Sequence, residues 1–241
     1  MGWGCIADQT VRPTHSPHLR AKAERPNFAA FKLNPLALRP KLKISNLISL
    51  QDARSSAAVG FDMISFNLVR GAHQKVSVSM AWNIIQWLSG PDIVLELTQA
   101  SLPEREEAAQ TFSFGLVSLP LTEWTPQLPL GEEGLILRAD ASADPEEVAR
   151  FLSAAQAQGR EVWIELHLPQ GEDLARYAAV RERCLLHLPS LDLVERFIQS
   201  GAEMPGGFAF YDEAEEEPGV LDYERIDDFL EVFNEVFDEE D

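Results

Sequence analysis

Eight short runs of β-forming residues recur along this chain with centres 20 to 30 residues apart. They occupy residues 42–47, 61–67, 92–96, 114–118, 135–139, 162–166, 184–188 and 208–211. A gap of that size holds one helix and two tight loops, which is the repeat of a βα unit and calls for parallel pairing. Eight such units fit a closed α/β barrel better than an open sheet. The span 41–237 is therefore expected to be a compact (β/α)8 TIM barrel with short loops.

The segments between the runs carry helix signals. Asp144-Pro145-Glu146-Glu147 places a capping acid before a proline at the first helical position, with Val148, Phe151, Leu152 and Ala155 forming one apolar face. Asp222 is expected to cap the last helix, where Ile226, Phe229, Leu230, Phe233, Val236 and Phe237 share a stripe. Residues 78–88 place Val78, Ala81, Trp82, Ile85 and Leu88 together as a core face. Trp82 and Trp87 are read as core residues, and Arg105, among Glu104, Glu106 and Glu107, as surface charge. One unit is defective: residues 119–134 hold three prolines and little helical period, so the fourth helix is expected to be short or missing.

Charge divides the chain. Residues 1–43 carry eight Lys/Arg against two acids, a net of +6, leaving −25 for the rest. Residues 1–40 are read as a flexible basic leader and 238–241 as an acidic tail. So acidic a body should repel nucleic acid and anionic membranes, and no apolar run is long enough to span a bilayer. The two cysteines, Cys5 and Cys184, make no disulfide framework or zinc spacing, which fits a reducing cytoplasm. A small-molecule ligand and a monomer or homodimer are the partner expectations.

Two segments carry a resemblance. Lys43-Ile44-Ser45-Asn46-Leu47-Ile48 looks like the KICGIT strand of the phosphoribosylanthranilate isomerase family, and Gly60–Phe66 like its second strand. Pro218-Gly219-Val220-Leu221-Asp222 is similar to that family's PGV-x-D ending. The resemblance implies a (β/α)8 fold and an Amadori-type isomerisation in tryptophan biosynthesis. It also implies a strand-1 cysteine base, a strand-6 aspartate acid and a glycine-rich phosphate grip after the last strands. This chain departs at each of these positions. Ser45 stands at the base position and Asn46 replaces the neighbouring glycine. No aspartate occurs in 163–167, and Gln74 replaces an arginine. After the eighth run, residues 211–217 contain five carboxylates, with Asp212-Glu213 where the family has Ser-Gly. A serine hydroxyl is a weaker base than a thiolate, and clustered carboxylates repel a phosphate dianion. The expectation is a degenerate or repurposed barrel of this type, the alternative an active isomerase with rearranged groups.

Chemistry in a barrel sits at the strand C-termini. The candidate acid–base groups are Ser45, Glu165 and His167. The candidate pocket adds Asn46, Asn67, Gln74, Asp140, His187, Tyr211 and Asp212. Glu165 and His167 fall on one side of their strand, and that side could face inward, outward or the solvated rim. His167 and His187 on adjacent strands could bind a metal with Glu165 or Asp140. However, no HxH or HExxH spacing occurs, and neither metal nor cofactor is expected.

Overall fold

The computed structural model describes residues 39–69, 74–112, 115–125, 134–211, 215–217 and 220–237. The basic leader up to residue 38, the acidic tail and Asp212 lie outside these residues. Eight parallel strands close into one barrel in chain order, β8 returning to pair with β1. The strands are β1 (Lys41–Ile44), β2 (Met63–Asn67), β3 (Asp92–Glu96), β4 (Leu116–Pro120), β5 (Gly134–Asp140), β6 (Val162–His167), β7 (Cys184–His187) and β8 (Gly207–Phe210). Between them run α1 (Leu50–Ala58), α2 (Val78–Ile85), α3 (Leu102–Thr111), α4 (Pro145–Gln156) and α5 (Leu191–Gln199). A short antiparallel pair, β9 (Glu215–Glu217) and β10 (Val220–Leu221), precedes α6 (Tyr223–Phe237).

The expected defect in the fourth unit is present. Among the described residues, β4 is followed by one 3-10 turn, Leu121–Glu123, and residues 126–133 lie outside them. A second departure was not foreseen: the segment after β6, Gly171–Arg183, is a 3-10 run kinked at Tyr177. Tyr177 anchors it, its hydroxyl donating to Ala143 O at 2.9 Å.

Short polar side chains set where the helices begin. Ser49, Ser77, Asp144 and Ser190 accept from first-turn amides of α1, α2, α4 and α5. Ser101 and Glu104 form a reciprocal capping box on α3. Asp222 caps α6 as expected, accepting from Arg225 N at 2.9 Å. Gly115 makes the turn into β4 with φ +95, and a Cβ there would lie 2.4 Å from Ile93 O. Both the left-handed backbone and the contact exclude a side chain. Gly115→Ala is expected to lower unfolding free energy by about 2 kcal/mol, read from urea denaturation. An unchanged midpoint would show that the turn relaxes freely.

Alternation along each strand sorts residues into two cores. Leu42, Ile44, Ile64, Phe66, Leu95, Val117, Leu137, Ile164, Leu186 and Phe208 face the helices. Met63, Val94, Leu116, Ile136, Trp163, Leu185 and Ala209 fill the barrel interior as a separate cluster. Above them, toward the strand C-termini, the interior turns polar with Lys43, Ser45, Ser65, Glu96, Ser118 and Glu165 all buried.

Two readings are corrected. Trp82 is 37% exposed and Trp87, beyond the end of α2, is 71% exposed, while Ile84 takes the buried place on that helix. The helix turns three residues earlier than a continuous 78–88 stripe requires. Arg105 is not surface charge. It is buried, donates through Nε to Ala100 O at 3.0 Å and pairs with Glu123 of the 3-10 turn, so α3 is tied to the irregular fourth unit.

Candidate functional site at the barrel mouth

The polar layer is organised around Lys43. Its side chain stands inside the barrel with no solvent exposure. Nζ donates to Ser45 Oγ at 2.7 Å and to Glu96 Oε1 at 2.8 Å. Glu165 Oε2 lies 2.9 Å away as an ion pair, and Tyr211 places its hydroxyl at 3.3 Å and its ring centroid at 4.8 Å. Arg138, reaching in from β5, brings Nη1 to 3.5 Å from Glu96 Oε2. Lys43 and Arg138 thus balance Glu96 and Glu165, as an interior of low dielectric demands.

These neighbours fix the protonation states. Burial is the largest influence on Glu165 and Glu96 and pushes both up, but Lys43 and Arg138, joined at Glu165 by His167, together outweigh it. The result is that Glu96 is held below the usual carboxylate range and Glu165 well below it. Burial alone would lower Lys43, yet Glu165 and Glu96 raise it far above an ordinary lysine. Burial raises the Tyr211 hydroxyl, as do the two glutamates, so it remains a donor. That hydroxyl donates to Glu165 Oε1 at 2.5 Å, and His167 Nε2 lies 2.7 Å from the same oxygen.

Above the ion cluster sit three rings. His167 and His187 are register partners across β6 and β7, their centroids 4.3 Å apart. Tyr211 stands 5.5 Å from His167 and 5.2 Å from His187. Glu165 and His167 therefore point inward, which resolves the choice alternation had left open.

The structure brings together Ser45, Glu165, His167, His187 and Tyr211. Asn46 lies at the same end of β1 with φ 61, the left-handed region a glycine would occupy, and its amide donates to Ser65 Oγ at 3.2 Å. Asn67 turns back on its own loop, accepting from Val69 N at 3.1 Å. Gln74 adopts φ 53 in the loop after β2. Asp140 is exposed and engaged with Ser142, whose hydroxyl and amide hold its carboxyl below the usual value. Among the described residues no cluster of three His, Cys, Asp or Glu is arranged to hold a metal ion.

The sequence reading missed Lys43 as a site residue, entering it only in the charge count of residues 1–43 and at the head of the first strand. The available signal was the period of two in Lys41-Leu42-Lys43-Ile44-Ser45. In an open sheet, a polar face beside an apolar one means solvent. In a closed barrel it means the interior.

No family model matches this chain, and no curated protein matches it. Solved structures do. Phosphoribosyl anthranilate isomerase from Thermus thermophilus superposes with a TM-score of 0.66 at 17% identity, covering 81% of this chain and 99% of that one. The isomerase bound to reduced 1-(o-carboxyphenylamino)-1-deoxyribulose 5-phosphate gives 0.63 at 17%, again over 81% and 99%. The 3-hexulose-6-phosphate synthase of Salmonella typhimurium gives 0.53 at 10% identity, over 81% and 99%. This is a likeness of fold, shared by two different chemistries. Among the described residues no helix is long and apolar enough to cross a membrane.

Proposed function

We propose that this barrel is a repurposed, non-isomerising relative of the phosphoribosylanthranilate isomerases that keeps its mouth as a binding site. The reading rests on one observation: Lys43 Nζ lies 2.7 Å from Ser45 Oγ and 2.9 Å from Glu165 Oε2. An Amadori rearrangement needs a group that takes a proton from carbon and one that gives a proton to the ring oxygen. Ser45 accepts a hydrogen bond from an ammonium that two glutamates keep protonated, so Lys43 cannot relieve the serine of its proton. Glu165 is held ionised and has no proton to give near neutrality. Both positions are tied instead to one buried ammonium, Ser45 by a hydrogen bond and Glu165 as an ion pair.

The anion grip is also altered. The loop after β7 contains no glycine, and Ser190 Oγ accepts from Leu193 N at 3.2 Å, occupying one amide at the N-terminus of α5. In sequence, residues 211–217 hold five carboxylates and no glycine.

Titration calorimetry with the reduced carboxyphenylamino-deoxyribulose phosphate is expected to show no heat of binding at micromolar concentrations. Expression in a tryptophan auxotroph lacking the isomerase is expected to give no growth. The second reading, an isomerase with rearranged groups, draws on the 2.7 Å contact between His167 and Glu165, which orients an imidazole at the mouth. Growth of the auxotroph that disappears with His167→Ala would establish that reading and remove the first.

A further inference from the structure

Three polar atoms on successive strands of the mouth have no hydrogen-bond partner among the described residues: Glu96 Oε2 on β3, Ser118 Oγ on β4 and Arg138 Nε on β5. Glu96 and Ser118 are register partners, and Arg138 Nη1 approaches Glu96 Oε2 only to 3.5 Å. All three side chains belong to the inward set, continuing Val94, Leu116 and Ile136 toward the strand C-termini. Ser118 has no solvent exposure and Glu96 only 2%. Buried polar atoms are rarely left unmatched, because each then bears its full desolvation cost.

We propose that this corner of the barrel receives a hydroxyl group of a neutral, unphosphorylated sugar or polyol. The chemistry of the three atoms selects the group. Glu96 Oε2 needs a donor, Arg138 Nε–H needs an acceptor, and Ser118 can serve as either. One hydroxyl meets these needs together. A carboxylate or phosphate cannot donate to Glu96, and an ammonium cannot accept from Arg138.

Charge selects against ions as well. Lys43 and Arg138 already cancel Glu96 and Glu165, so a fifth buried charge would have no counterion. The rings of His167, His187 and Tyr211, on β6, β7 and the end of β8, line the neighbouring sector of the mouth. They offer apolar faces to the C–H face of a sugar, while the hydroxyl edge turns toward β3–β5.

The ligand class rests on the non-isomerising reading above. The experiment separates the two. The full chain is titrated with ribitol, xylitol, D-ribulose and D-ribulose 5-phosphate, followed by saturation-transfer NMR, beside a turnover assay for the isomerase reaction. Saturable binding of at least one neutral compound is expected, with the phosphate ester at least tenfold weaker. Ser118→Ala is expected to weaken the neutral ligand about tenfold, because it deletes one of the three contacts while leaving a buried methyl that the fold accepts. Retention of the wild-type melting temperature checks that acceptance. The absence of saturable binding for all neutral compounds, tighter binding of the phosphate ester, or no effect of Ser118→Ala would each overturn the ligand class. Isomerase turnover would instead overturn the reading beneath it.

Discussion

Lys43→Met is expected to destabilise the barrel by about 3–5 kcal/mol, because it strands two carboxylates in the interior. Lys43 contacts both Glu96 and Glu165, while Arg138 reaches only Glu96, at 3.5 Å. The loss is one of compensation, not of packing, since methionine has a similar length and fills the space. The double variant Lys43→Met/Glu165→Gln should therefore recover most of the loss, leaving Arg138 against Glu96. Urea denaturation at pH 7 of the wild type, both singles and the double gives the coupling directly. A double variant as unstable as the sum of its singles would show that the cluster is held by shape and not by charge.

The same variant should invert the acid limb of stability. In the wild type Glu96 and Glu165 have folded values below the ordinary glutamate value of 4.5. Groups depressed in this way contribute stability that is complete above 4.5 and lost as pH falls through the folded values. Stability of the wild type thus declines on acidification. Without Lys43, burial, the largest influence on Glu165, is opposed chiefly by His167 and Arg138; the folded value is expected to rise above the unfolded one, so that the folded state binds the proton more readily. Lys43→Met should then gain stability as pH drops from neutrality toward the glutamate range. A parallel decline in the two proteins would sink the charge assignment.

The order of eight strands and the weak fourth unit were legible because they depend on local chemistry: β-branched runs, capping residues and three prolines in sixteen positions. The layering inside the barrel was not. Whether Lys43, Arg138 and Glu165 face water or each other depends on closure, and closure pairs β1 with β8, about 165 residues apart in sequence. The candidate site was half legible for the same reason. Ser45, Glu165, His167, His187 and Tyr211 were named from their places at strand ends, and they do converge. Asp140 has the same place in its strand, yet its side chain turns to Ser142. Asn67 likewise spends its carbonyl on Val69. Short carboxylates and amides at strand ends have such local alternatives, and a long lysine within a strand has none.

Tryptophan is the second case where closure decides. Trp163→Ala is expected to cost about 3–5 kcal/mol, and Trp87→Ala less than about 0.5 kcal/mol. Trp163 is 5% exposed and belongs to the lower interior layer beside Ile136, its register partner on β5. Its indole Nε1 donates to Glu161 Oε1 at 3.0 Å, while Lys41 Nζ and Arg183 Cζ lie 5.5 and 5.3 Å from the ring centroid. Gly206 passes so near that a Cβ there would meet the indole Cζ3 at 2.9 Å and Glu182 O at 2.3 Å. No neighbour held on a closed barrel can move in to fill the space a missing indole would leave, so the cavity persists. The two cations contribute about 0.5–1 kcal/mol each to the total. Trp163→Phe keeps a ring between them and should lose roughly 1–2 kcal/mol, chiefly the volume of the second ring and the bond to Glu161. Trp87, at 71% exposure, has no such layer to empty. Urea midpoints for the three variants at equal slope test the ranking. A loss at Trp163→Ala no greater than at Trp87→Ala would mean that the lower layer is not packed around the indole.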